Sequence, residues 1–105
     1  MFTNKKIRMR AANTVYVIKR DYFYEPDVDS EHRMCFLRGQ NRYWRQISSA
    51  TKLERTGLKA FGTFVAKACK DPGNIFEYAR KVAENDDLAY AELLGYLDGM
   101  LTDVA

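Results

Sequence analysis

Lys5-Lys6-Ile7-Arg8-Met9-Arg10 alternates apolar and charged residues. After Ala11-Ala12-Asn13 comes Thr14-Val15-Tyr16-Val17-Ile18, a run rich in β-branched side chains. The reading of these two segments decides the fold class. Alternation with period two places Ile7 and Met9 on one face and Lys6, Arg8 and Arg10 on the other, the pattern of a half-buried strand. The β-branched run reads as a second strand, continuing toward Tyr24 until Glu25-Pro26 stops it. Arg33 to Arg38 reads as a third strand. Gly39-Gln40-Asn41 has turn chemistry, and Arg42 to Ile47 returns as a fourth strand to close a hairpin.

Beyond residue 50 the pattern changes. Thr51 and Glu54 have the spacing of a capping box. Leu53, Leu58, Phe61, Phe64, Val65 and Ala68 follow at near-helical spacing, interrupted by Gly57 and Gly62. Asp71-Pro72-Gly73 ends that helix. Asn74 with Glu77 marks the start of a second helix carrying Ile75, Ala79 and Val82. A third helix follows Asn85-Asp86-Asp87, with Tyr90, Leu94, Leu97 and Leu101 as its apolar stripe. Strands followed by helices predict an α+β domain, with a three- or four-stranded antiparallel sheet in the N-terminal half packed against three C-terminal helices.

The 105 residues, 47% of them hydrophobic, make one domain spanning 1–105. Disorder is excluded at this aromatic content. No apolar run is long enough for a transmembrane helix, and the basic N-terminus lacks the apolar core of a signal peptide. Two cysteines are too few for a disulfide framework. The expectation is a cytoplasmic protein with no membrane association.

The net charge of +3 hides an asymmetry. Residues 1–60 hold 13 Lys or Arg against 6 Asp or Glu, a net of +7, and residues 61–105 hold 4 against 8, a net of −4. The basic half also carries eight of the fourteen aromatics, Phe2 and Trp44 among them. Arginines beside aromatic rings serve both nucleic-acid and protein interfaces. The hairpin residues Arg38, Arg42, Tyr43, Trp44 and Arg45 form the expected partner-binding site, together with Lys6, Arg8 and Arg10 of the basic row. Ala91, Gly95 and Gly99, four apart on the third helix, form a ridge of minimal side chain. It suits a close helix crossing within the chain, or alternatively a homodimer seam.

Chemistry-bearing motifs are scarce. Glu25, Asp27, Asp29 and Glu31 alternate ahead of His32, but the pattern fails as a Ca²⁺ loop: counted from Asp27, the glycine position holds His32 and the final carboxylate position holds Arg38. His32 is the only histidine, which excludes a His-rich zinc site, and no metal or cofactor is expected. On a strand His32 and Cys35 would point to opposite faces, against a catalytic dyad. No nucleophile elbow, P-loop or dinucleotide fingerprint is present.

The function expected is non-catalytic macromolecule binding through the basic, aromatic-bearing sheet and hairpin, by a monomer or homodimer. Small domains without catalytic motifs serve as adaptors or inhibitors, including phage and bacterial host-interaction proteins that block defence nucleases. Direct DNA or RNA binding by the same arginines and Trp44 is the alternative, and a small hydrolase ranks third.

Overall fold

The computed structural model describes residues 4–105. Every regular element among them is helical: α1 (Asn4–Ile18), a π-helical segment (Lys19–Phe23), α2 (Ser30–Ser49), α3 (Lys52–Ala68), α4 (Asn74–Ala83) and α5 (Asp87–Val104). The expected α+β architecture is therefore wrong, and no strand occurs among the described residues. The first two expected strands lie in α1, the second running on into the π-helical segment. The third and fourth lie in α2, and the expected Gly39-Gln40-Asn41 turn is in the middle of that helix.

The physical reason is visible in what each helix buries. On α1 the buried residues are Ile7, Ala11, Thr14 and Ile18, spaced four, three and four apart, as one helical face requires. The Ile7/Met9 alternation is incidental, since Met9 is exposed. β-branched residues disfavour a helix by only tenths of a kcal/mol each, less than the gain from burying Ile18. On α2 the buried residues are Cys35, Phe36, Gly39 and Tyr43, again one helical stripe.

The C-terminal elements follow their local signals more closely. Thr51 accepts from the Glu54 backbone N–H at 3.2 Å and Glu54 accepts from that of Thr51 at 2.9 Å, a complete capping box. Gly57 and Gly62 do not interrupt α3. Asn74 does not cap α4; Gly73 occupies that position without a side-chain bond. At α5 Asp86 is the cap, accepting from Ala89 N–H at 3.0 Å.

The hydrophobic cluster centres on α5, whose Ala91, Leu94, Gly95, Leu97, Gly99, Met100 and Leu101 are all buried. A helix buried on nearly all sides belongs at the middle of a bundle, and α1, α2, α3 and α4 all pack against it. The closest approach is with α2. A Cβ built on Gly39 would stand 1.9 Å from the Glu92 carbonyl oxygen, and one on Gly95 would stand 1.8 Å from that of Phe36. The hydrogens in those places point at carbonyls of the facing helix, the arrangement of Cα–H···O contacts between helices. The ridge of Ala91, Gly95 and Gly99 thus belongs to an intramolecular crossing, with Gly99 against the Tyr43 ring.

Contacts with α5 also mix the two charge halves. Arg42 lies 3.5 Å from Glu92, Lys19 3.8 Å from Asp98, and the Tyr43 hydroxyl donates to Asp103 at 2.7 Å. Basic and acidic halves interleave here rather than forming two opposed poles.

Candidate functional site

Asp29 starts α2 by accepting from the backbone N–H of His32 at 2.9 Å. From there to Ser49 the helix contains one acidic residue, Glu31. With Phe36, Gly39 and Tyr43 turned toward α5, the opposite face carries Met34, Arg38, Asn41 and Arg45, within about 60° of one another at 100° per residue. Leu37 and Trp44 flank this row on one side and Arg42 on the other. Met34, Leu37, Arg38, Asn41, Arg42 and Arg45 line an open hollow of about 490 Å³. Met34 is 62% exposed and Leu37 44%. Arg42 stands between this hollow and a second one of about 340 Å³, which Val82, Ala89, Glu92, Leu93 and Tyr96 complete.

The expected site residues divide between two helices. Arg38, Arg42 and Arg45 share the α2 face. Trp44 lies at its edge, 42% exposed, with its ring edge-on to Tyr43 at 5.2 Å. Tyr43 is buried and belongs to the core rather than to a surface. Lys6, Arg8 and Arg10 lie on α1, away from this face: Arg8 lines a different hollow with Lys59 and Thr63, and Arg10 donates to the Lys67 carbonyl at 3.1 Å. Phe2 lies outside the described residues. The single sheet surface expected to gather all the cations is thus replaced by one helix face holding three of them.

Met34 and Leu37 escaped the sequence reading as surface residues. On an alternating strand one of each apolar pair points inward, so nothing marked them as exposed. The absence of acid between His32 and Leu53 was a usable signal, since a solvated helix normally interleaves both charges.

A second cluster surrounds the start of α2. Tyr22, Asp27, Val28, Asp29, His32, Arg80, Asp87 and Tyr90 line a hollow of about 260 Å³. His32 Nδ1 lies 2.5 Å from Asp29 Oδ1. Hydrogen bonds from the His32 backbone and ring hold the Asp29 carboxyl below its usual range, and the bond to Asp29 raises the imidazole pKa. The Arg80 guanidinium sits 3.9 Å over the Tyr90 ring and 3.0 Å from Asp87. Burial pushes the Tyr22 hydroxyl up to about 12, and it has no hydrogen-bond partner among the described residues. Asp29 and His32 satisfy each other at the helix cap, and Arg80 and Asp87 as an ion pair. Cys35 and Cys69 are both free and buried, and burial raises the Cys69 thiol further from its thiolate. Among the described residues no three His, Cys, Asp or Glu side chains converge as a metal site.

Asp98 is the one carboxylate in the core among the described residues, 1% exposed. Gln40 Nε2 donates to its Oδ1 at 2.7 Å, while Oδ2 has no hydrogen-bond partner among the described residues. Burial raises its pKa, opposed by the Gln40 bond and the charge of Lys19. The folded state therefore holds this proton more tightly than the unfolded chain. Stability from this group is fully retained below the unfolded pKa of about 3.9 and declines as pH rises through the folded one. Asp98→Asn imitates the protonated form and keeps the acceptor for Gln40. It is expected to match the wild type in urea denaturation at pH 3 and to exceed it at pH 7 by on the order of 1 kcal/mol.

No helix among the described residues is long and apolar enough to cross a membrane. Compared with protein-family models, curated proteins and solved structures, the chain has no match in any of the three.

Proposed function

We propose that this is a non-catalytic binding protein, an adaptor or inhibitor, that docks a protein partner through the outer face of α2. The observation carrying this reading is a pair of arginines, Arg38 and Arg45, without an ion pair among the described residues, on the same face as exposed Met34 and Leu37. Cations left uncompensated beside apolar side chains supply the two elements of an interface, an anchor and charge complementarity. The His32 cluster favours no competing catalytic reading, because its imidazole is engaged with Asp29, the carboxylate that caps α2.

Among the described residues neither guanidinium has an ion pair to lose. The double variant Arg38→Glu/Arg45→Glu should keep its folding stability within about 0.5 kcal/mol of wild type. Its capture of protein partners from nuclease-treated lysate should fall at least roughly tenfold. Undiminished capture by the double variant ends this reading.

Direct nucleic-acid binding is the second reading, favoured by one observation: Arg38, Asn41 and Arg45 share a helical row, and arginine and asparagine are the side chains that read guanine and adenine edges in the major groove. Binding of that kind by Arg38, Arg42 and Arg45 would weaken with salt at a log–log slope of about −3.

A further inference from the structure

Resting on the α2 docking face just proposed, we infer that its occupant is an acidic amphipathic helix of a partner protein. It would present two carboxylates seven residues apart and a bulky apolar side chain one turn beyond them.

The dimensions follow from α2 itself. Arg38 and Arg45 are two turns apart, about 10.5 Å along the axis. A helix lying along this face at a shallow crossing angle meets them with residues of the same spacing, i and i+7. Asn41 falls between the two arginines, where a single polar residue in a seam sets register. Met34 lies one turn before Arg38, with Leu37 beside it, and both are exposed. Together they make an apolar end to an otherwise basic groove of about 490 Å³.

That apolar end distinguishes among anionic partners. A phosphate backbone would satisfy Arg38, Arg42 and Arg45 but would leave Met34 and Leu37 facing charged, hydrated groups. A helix carrying carboxylates and an apolar anchor satisfies both ends, the helix-in-groove mode of recognition. Arg42 adds a cation at the rim, where its exposed pairing with Glu92 at 3.5 Å is weak enough to be exchanged for a partner carboxylate.

The test is selection from a phage-displayed library of helical peptides with randomised surface positions, on wild-type protein, with Arg38→Glu/Arg45→Glu as the counter-selecting bait. Circular dichroism first establishes that the variant is folded. Enriched peptides should carry Asp or Glu at seven-residue spacing with Leu, Phe or Met one turn away. Their affinity should fall at least tenfold on Arg38→Glu or Arg45→Glu, and fall also on Leu37→Ala. Exchanging the matching peptide carboxylate for arginine should restore binding to the reversed variant. Enrichment without acidic bias, or affinity indifferent to both reversals, overturns the inference.

Duplex and single-stranded oligonucleotides, titrated at low salt, separate the two levels. If no acidic peptide is enriched but oligonucleotides bind the wild type and not the double variant, the α2 face stands and the acidic helix is wrong. If neither probe distinguishes wild type from the double variant, the face itself is wrong.

Discussion

Gly95→Ala should destabilise the fold by about 3 kcal/mol or more, beyond the ordinary range for a single added methyl group. The new Cβ would stand 1.8 Å from the Phe36 carbonyl oxygen and 2.7 Å from its carbonyl carbon. Those are backbone atoms inside a helix, so no rotamer change relieves the overlap. The helices would have to separate along the crossing that carries the most extensive packing in the molecule. Alanine's better helix propensity, worth about 1 kcal/mol over glycine, offsets only part of this. Thermal unfolding should show Tm lowered by roughly 12–24 °C, at about 4–8 °C per kcal/mol for a small domain. Gly39→Ala should behave alike, because its Cβ would meet the Glu92 carbonyl oxygen at 1.9 Å. Gly57→Ala is the control of opposite sign. Nothing lies within 4 Å of a Cβ there, and the substitution should stabilise α3 by about 0.5–1 kcal/mol. A Gly95→Ala variant as stable as wild type would refute the close crossing.

Phe36→Ala is expected to cost about 3–5 kcal/mol. The side chain is fully buried, and its ring packs against Phe23 at 4.9 Å and Tyr22 at 6.1 Å between centroids. Those two residues end the π-helical segment, which is otherwise tied to α2 through Arg33, donating to the Phe23 and Glu25 carbonyls at 2.8 and 2.6 Å. Losing the ring opens a cavity and also loosens residues 19–24 against α2. Two measurements check this: the midpoint of urea unfolding, and the rate of limited proteolysis between Lys19 and Tyr24. Proteolysis should accelerate in Phe36→Ala more than in a core truncation of similar cost placed elsewhere, such as Leu101→Ala. Equal acceleration in both would mean that Phe36 does not anchor the segment.

The C-terminal half was legible because its helices announce themselves locally. Thr51 and Glu54 are three residues apart, Asp71-Pro72-Gly73 cannot continue a helix, and Leu94, Leu97 and Leu101 are large enough to register as a stripe. The N-terminal half was not legible, because half of its buried row on α1 is Ala11 and Thr14, and the centre of the row on α2 is Gly39. Residues without apolar bulk leave no periodic signal. The visible apolar residues Met9, Met34 and Leu37 lie on exposed faces and produce a false alternation. Gly39 illustrates the ambiguity most clearly. A glycine beside Gln40 and Asn41 reads as a turn, yet here it makes room for the backbone of α5.

The candidate site divides in the same way. That arginines and Trp44 concentrate in residues 38–45 is a property of composition, and it survives the change from strand to helix. Which of them share a face does not survive, since period two groups Arg42 with Trp44 whereas a period of 3.6 groups Arg38 with Arg45 and sets Arg42 and Trp44 on opposite flanks.

From its residues alone this chain has a basic first half, helices after residue 50, and a ridge of Ala91, Gly95 and Gly99 suited to close packing. These rest on charge, caps and local periodicity, which neighbouring residues suffice to specify. The helical state of residues 4–23 and 30–49, the burial of Tyr43 and the exposure of Met34 were decided by α5, because the energy of burying a face depends on a partner more than 50 residues away. Tenths of a kcal/mol of intrinsic preference per residue yield to that burial.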